Sequence, residues 1–496
     1  MSCLNVFPRT IFSLLASKYK TWPQTGMAPA SRCAHQLSPR KKIEKIQNLM
    51  SFIKTANSTQ LSAKLVEVWA TPQCSITDPR ILLTLGANPS LLYENDYGKK
   101  TLEDRVEAGS VCLSCEAKFN EFLEKAPTIY SSQFNNEPII VNNGHKEDSS
   151  KKENLTRDLI ALSLDGGGMR GLVSVVCLLF ASRRLFGDES LPDKVDWFVG
   201  SSTGSLLALA IVKGYSLTEA FFLYWDMKNE IFLDKSTMAR LFGDVVDKQT
   251  QRMNEVLKRC FPCDDDTFEN CARRLTVPAL NIACTPAKLH TFRNYPIRID
   301  SGTSSENGAE HISFRDAARA SSAAPTYFHP HVMGEDMFVD GSLVANCPLS
   351  VLFREYDKSI MAGKDISLGC IISIGTGEPL ETRRRYKSGT SISKKGKHLK
   401  DVAQLLMEQV VGHEKSAIGC AMDRCVAQSI SFFRLSPVGI NVRIDQIDDG
   451  KLMDMIWDTL LYLIDNTDMI DNIGQKLKEV AERQQDSSRV RSHTVR

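Results

Sequence analysis

The chain has 496 residues, enough for two or three domains, and 42% of them are apolar, enough for a sizeable core. Its 61 basic and 59 acidic side chains leave a formal net charge of +2, so no global field steers it to nucleic acid and any attraction to an anionic partner is local. No apolar run reaches the ~18 residues of a membrane-spanning helix, and the 14 cysteines lack the spacing of a disulfide framework, which favours reduced thiols.

Residues 1–43 contain no Asp or Glu and carry Arg9, Lys18, Lys20, Arg32, Arg40, Lys41 and Lys42 among clustered apolar and hydroxyl residues. An acid-poor, basic, locally amphipathic leader has the composition of a mitochondrial transit peptide. The competing reading is a disordered basic leader on a cytoplasmic protein that associates peripherally with membranes. Residues 44–130 read as mainly helical, and within them "ILLTLGANPSLLYENDYGKKTLEDRVEAGS", Ile81 to Ser110, resembles one ankyrin unit. One such unit cannot bury its own face. Residues 131–157, rich in Ser, Asn, Lys, Glu and Asp, read as a polar linker. From 158 to 480 the pattern becomes strand, glycine, helix, and residues 481–496 read as a polar tail with no core to join.

The α/β region opens with "LSLDGGGMRGL". A buried strand ends at Leu164, an apolar helix begins at Leu172, and glycines fill the turn between them. Backbone N–H groups meeting a helix N-terminus favour an anion. Gly166, Gly168 and Gly171 also fit the dinucleotide fingerprint, but the acids about 20 positions on lie in a polar turn rather than at a second strand end. A second turn, Gly200-Ser201-Ser202-Thr203-Gly204 in "VDWFVGSSTGSLLALAIV", runs strand, turn, helix with the G-x-S-x-G spacing. Small residues on both sides let strand and helix pass closely and project the central hydroxyl. Only Ser202 has glycine at both flanking positions. Its base is open at this point: His398 and His413 follow in the ordinary hydrolase order, whereas Asp340 ends a short apolar strand and is followed by Gly341.

"DGGGMRG", "GSSTG" and "DG", in that order, resemble the patatin-like phospholipases, and "FRNYP", "AARASSAAPTYF", "ANCP", "SIGTG", "WDMKNEIF" and "FFRLSP" agree. Within that family the chain is most similar to the ankyrin-type calcium-independent phospholipases A2. The resemblance implies a three-layer α/β/α hydrolase domain preceded by the mainly helical N-terminal region. It implies a Ser202–Asp340 dyad without histidine, and an oxyanion hole made by the N–H groups of Gly166, Gly167 and Gly168. Arg170, Gly200, Gly204 and Gly341 would support the site. Arg170 is read as fixing the glycine loop rather than meeting a lipid phosphate. The activity implied is release of fatty acid from glycerophospholipids, with no cofactor and no metal; the acidic run Asp264-Asp265-Asp266 lacks EF-hand spacing. The chain departs from the commoner family pattern at Ser342 and Cys347.

The substrate implies a peripheral encounter with a phospholipid surface. Arg383, Arg384, Arg385 and Lys387 open a basic segment that reaches Lys400, and an amphipathic stretch from Leu399 to Val411 follows. This combination suits anionic lipid; a solvated loop or a calmodulin target are the other readings of the same stretch. A homo-oligomer is left open. Two rival functions stand beside the hydrolase: a dinucleotide-dependent oxidoreductase on the glycine loop, and a non-catalytic scaffold in which the ankyrin-like unit binds partners.

Overall fold

The computed structural model describes residues 48–50, 52–53, 55–56, 58–70, 77–87, 157–232, 245–263, 267–297, 311–380 and 414–494. The leader, most of the ankyrin-like unit, the linker, Asp264-Asp265-Asp266, His398, His413 and the basic segment from Arg383 onward lie outside them. The chain divides into two compact units, Met1–Ser131 and Ser132–Arg496. In the first, helices α1 (Ser58–Ala70) and α2 (Thr77–Thr84) are described. Leu61, Leu65 and Val68 form a buried stripe on α1 at helical spacing, and Ile81, Leu82 and Leu83 of α2 are buried as well.

The second unit is built on eight strands: β1 (Arg157–Leu164), β2 (Trp197–Gly200), β3 (Arg274–Asn281), β4 (Lys288–Arg293), β5 (His331–Met333), β6 (Asp336–Val339), β7 (Ile366–Ile374) and β8 (Ser431–Leu435). They form one sheet in the order β5-β6-β3-β2-β1-β7-β8, with β4 paired to β3. The pairs β1–β2, β1–β7, β2–β3 and β7–β8 are parallel, and those of β3 with β4 and β6, and of β5 with β6, are antiparallel. Parallel strands need cover on both faces, and Leu159 to Leu164 are accordingly buried without a break.

The alternation of side chains sorts the two faces. Leu159 and Ala161 of β1, and Trp197 and Val199 of β2, join a core cluster with Leu352 and Phe353 of α9 (Leu349–Met361) and Cys425 of α10 (Glu414–Ala427). The opposite face meets α12 (Thr467–Thr494), whose Gln484 and Arg483 bind the carbonyl and carboxylate of Asp158. The unit is therefore a three-layer α/β/α structure. Helix α12 runs through the stretch expected as a polar tail. Val480 and Ala481 are still buried, and the following Glu, Arg and Gln residues are good helix formers.

The remaining helices are α3 (Gly171–Phe186), α4 (Thr203–Val212), α5 (Leu217–Glu230), α6 (Val245–Cys260), α7 (Phe314–Ser321), α8 (Ser342–Ala345) and α11 (Asp449–Asp465). The tightest approach lies where β1 passes the turn from β2 into α4. A Cβ on Gly200 would fall 2.3 Å from the Gly204 carbonyl oxygen, and one on Gly204 would fall 2.2 Å from that of Leu164. Both obstacles are backbone, so nothing flexible can yield. Gly204→Ala should lower folding stability by about 1–3 kcal/mol or more. Gly419→Ala, in α10 with nothing within 4 Å of the new methyl, should be neutral or gain about 0.5–1 kcal/mol. Thermal unfolding of the two variants checks the contrast; equal loss would contradict the close-approach argument.

Candidate active site

Four loops meet at the carboxyl ends of the strands. They are the glycine loop after β1, the elbow after β2, the segment after β6 that begins with Asp340, and Gly375-Thr376-Gly377 after β7. The chain leaves β1 for β2 on one side while β7 lies on the other. In open α/β sheets this reversal point is where a crevice forms.

Ser202 occupies the elbow at φ 50 and ψ −120, a left-handed conformation that a non-glycine residue adopts only when its surroundings enforce it. The enforcement is visible. Ser201 N–H donates to the Leu164 carbonyl at 3.1 Å, and Gly204 N–H to the Ser201 carbonyl at 2.8 Å. Ser202 N–H donates to Ser321 Oγ at 3.1 Å, and Ser321 Oγ donates to the Pro278 carbonyl at 2.7 Å. Ser202 lines a pocket together with Asp340. Ser201, its neighbour, is fully buried, and its hydroxyl has no hydrogen-bond partner among the described residues.

Ser202 Oγ donates to Asp340 Oδ2 at 2.7 Å. The other oxygen, Oδ1, accepts the Ser342 N–H at 2.8 Å, and the Ser342 hydroxyl also hydrogen-bonds this carboxyl. Asp340 is held from behind as well, its own N–H donating to the Ala323 carbonyl at 3.1 Å. Gly341 permits the approach, since a Cβ there would lie 2.2 Å from the Pro278 oxygen. Asp340 is 1% exposed. Burial pushes its carboxyl up to about 6, and the hydrogen bonds from Ser202 and Ser342 pull the other way. Four of the described histidines are engaged elsewhere: His329 with Asp247, His331 with Asp316, His311 with Glu269, and His290 between the rings of Phe292 and Phe338.

The glycine loop shows a division of labour that its sequence did not reveal. Gly166 N–H donates to the Asn346 carbonyl at 3.0 Å, and Gly167 N–H to Thr203 Oγ1 at 3.0 Å. Thr376 Oγ1 donates back to the Gly166 carbonyl at 2.9 Å. Two of the three amides assigned by resemblance to one hole are thus occupied in holding the loop. Gly168 (φ 59) and Thr203 line the pocket, and their N–H groups have no acceptor among the described residues. Thr203 opens α4, where first-turn N–H groups have no intrahelical partner. Arg170 is 4% exposed and donates from Nη1 to the Gly377 carbonyl at 3.3 Å, tying the loop to the end of β7.

Sequence reasoning missed the anchor beneath the loop. The fully buried carboxylate of Asp165 pairs with Arg434 of β8, Nη2 to Oδ2, at 2.5 Å, and Arg434 Nη1 donates to Ser373 Oγ at 2.8 Å. Its only signal was the agreement of "FFRLSP" with the family. The rest of the pocket is apolar: Leu206, Tyr224, Met227 and Met253 are buried, and Phe232 and Tyr327 are half-buried. Among the described residues no group of three or more His, Cys, Asp or Glu is arranged to hold a metal, and no helix is long and apolar enough to cross a membrane.

Asp340 makes a stability prediction. Its folded carboxyl titrates near 6 and an unfolded one near 3.8. Between those values the folded state binds more protons, so this residue's contribution falls as pH rises and is fully unfavourable above about 6. Asp340→Asn keeps the shape and removes the charge. At pH 8 the variant should be more stable by order of 1–3 kcal/mol, an advantage that fades as pH falls toward 4. Melting curves at the two pH values test this; a variant less stable at pH 8 would contradict it.

Residues 162–353 match the family model described as patatin-like phospholipase. The chain is 28% identical over 340 residues to the mouse 85/88 kDa calcium-independent phospholipase A2, covering 64% of this chain and 40% of the relative. It is 27% identical over 386 residues to the Caenorhabditis elegans intracellular phospholipase A2, covering 74% of this chain and 34% of the relative. It is 27% identical over 341 residues to the human calcium-independent phospholipase A2-gamma, covering 66% and 40% respectively. The chain thus spans about two-fifths or less of the length of these relatives. Since the matched span runs from β1 into α9 and contains both Ser202 and Asp340, the chain carries a patatin-like phospholipase domain.

Proposed function

We propose that the chain is a lipid acyl hydrolase of the phospholipase A2 type, releasing a fatty acid from glycerophospholipids. The observation that carries this reading is the 2.7 Å hydrogen bond from Ser202 Oγ to a buried carboxylate at the end of an apolar pocket. An acyl chain would lie against Leu206, Met227 and Met253, its ester carbonyl beside Ser202.

Ser202 Oγ attacks the carbonyl carbon while Asp340 Oδ2 takes its proton. The carbonyl oxygen becomes an oxyanion and accepts the N–H groups of Gly168 and Thr203. Such donors cost no reorganisation at the moment of reaction and are worth about 10²–10³-fold each. Collapse of the intermediate expels the glycerol oxygen, which takes the proton from Asp340 and leaves an acyl-Ser202. Water then attacks the acyl carbon, again giving a proton to Asp340, and the acid departs as Ser202 recovers its proton. An ordinary aspartate near 3.9 is a poor base; a carboxyl raised to about 6 is nearer the working range.

The rival dinucleotide reading fits less well, because the Gly166 and Gly167 amides are already spent on Asn346 and Thr203. Two expectations from outside the described residues complete the proposal. The acid-free leader 1–43 supports import into mitochondria, and the basic run that includes Arg383, Arg384, Arg385 and Lys387 supports peripheral docking on anionic lipid.

With purified protein and a chelator present, mass spectrometry of products from a mixed-chain phospholipid should show free fatty acid and lysophospholipid. Ser202→Ala should abolish the reaction, Ser201→Ala should retain most of it, and Asp340→Asn should lower kcat/KM by about 10²–10⁴-fold in folded protein. The kcat/KM of the native chain should rise through a limb near pH 6, because only ionised Asp340 accepts the proton. Full activity of Asp340→Asn would exclude the dyad.

A further inference from the structure

Burial separates the floor of the pocket from its mouth. Leu206, Tyr224 and Met253 are 3% exposed or less, whereas Phe232, Tyr327 and Ile444 are half-buried. The mouth adjoins the glycine loop: the Ile444 carbonyl accepts Met169 N–H at 2.8 Å, and a Cβ on Gly168 would lie 2.3 Å from that oxygen. The residue before Ile444 is Arg443, so an arginine stands one position from the segment that touches the oxyanion donors.

Arg443 is not a loose surface charge. Its side chain is 53% exposed, while the carboxylate beneath it, Asp445, is 3% exposed. Nε donates to Oδ1 at 2.9 Å and Nη2 to Oδ2 at 3.2 Å. The hydroxyl of Tyr327, a pocket-lining residue, hydrogen-bonds to the same pair. A buried acid therefore orients one edge of the guanidinium, on a side chain that is half exposed and adjoins the pocket residue Ile444 in the chain. The mechanism does not use this arrangement.

A glycerolipid whose ester sits at Ser202 must leave through this mouth. In a glycerophospholipid, the phosphodiester then follows within a few bonds of the ester. Guanidinium matches phosphate oxygens in a planar fork; a neutral glyceride offers it no anion. Because Asp445 balances the charge, the fork would select a singly charged diester by geometry rather than attract polyanions by field strength. Resting on the hydrolase reading above, we propose that Arg443, held by Asp445 and Tyr327, is an anion subsite that takes the lipid phosphodiester and makes this site prefer phospholipid to neutral glyceride.

The test uses the full chain and two substrates with the same acyl groups, a phosphatidylcholine and a diacylglycerol, each in the same neutral detergent micelle. The ratio of kcat/KM for phospholipid to that for diacylglycerol should fall about 10-fold in Arg443→Gln, the effect of one lost charge-assisted contact. Arg443→Lys should lie between the two, since it keeps the charge but not the fork, and circular dichroism verifies folding of both. Inorganic phosphate should not compete with the phospholipid. An unchanged ratio, including equal loss on both substrates, overturns the subsite. Competition by inorganic phosphate overturns the lipid phosphodiester as its ligand. If the native chain cleaves neither substrate, the hydrolase reading itself fails, an outcome distinct from a changed or unchanged ratio.

Discussion

The hydrogen bond between Ser202 and Asp340 sets the terms for the rest of the second unit. Its two partners come from different parts of the sheet, the elbow after β2 and the segment after β6, and they meet only because β3 pairs with both strands. Ser202 reaches it through a left-handed backbone that two glycines make possible by letting α4 pass β1 at contact distance. Asp340 reaches it past Gly341, with Ser321 bridging the elbow amide and β3 from below. Loss of any of these close approaches would leave the serine and the carboxylate intact and the pair unformed.

The same bond explains why the site carries unfavourable burial. A carboxylate with almost no exposure costs free energy whenever it is ionised, and no charged side chain among the described residues is poised to offset it. Arg434 is committed to Asp165, and Arg319 of neighbouring α7 donates to Asn254 and to the His329 carbonyl. Hydroxyl and amide donors from Ser202 and Ser342 supply the compensation instead. Burial keeps the carboxyl raised above an ordinary aspartate, and these donors leave it able to ionise near neutrality. An arginine at the same place would make the pair more stable and the base weaker. Local rules are broken where function requires it, which is where a fold is expected to break them.

Much of this was legible in the sequence because it rests on residue types with a narrow physical meaning. Glycine on both sides of Ser202 marks a close backbone crossing, and an aspartate at a strand end beside glycine marks a carboxylate that can approach another group. Apolar runs separated by glycine turns marked the alternation of strand and helix, and the α/β/α layering was what the resemblance to the patatin-like family implied. What stayed hidden depends on contacts distant in the chain. Asp165 finds Arg434 269 residues away, and no local pattern announces it. The three consecutive glycines look equivalent, yet tertiary partners make them different: Asn346 takes one amide, Thr203 takes the next, and Gly168 faces the pocket. Ser342 looked like a departure from the commoner pattern and proves to be a second donor to Asp340. The tail read as polar because its composition is polar, while the last helix runs on to Thr494.

The most direct measurement of the central claim is a crystal structure of the chain after reaction with a long-chain fluorophosphonate. The account predicts phosphorus bonded to Ser202 Oγ, its free oxygen within hydrogen-bond distance of the Gly168 and Thr203 amides, the alkyl chain between Leu206 and Met253, and Asp340 still beside the modified oxygen. Phosphorus on another residue, or a free oxygen directed away from both amides with a histidine at Ser202, would contradict it.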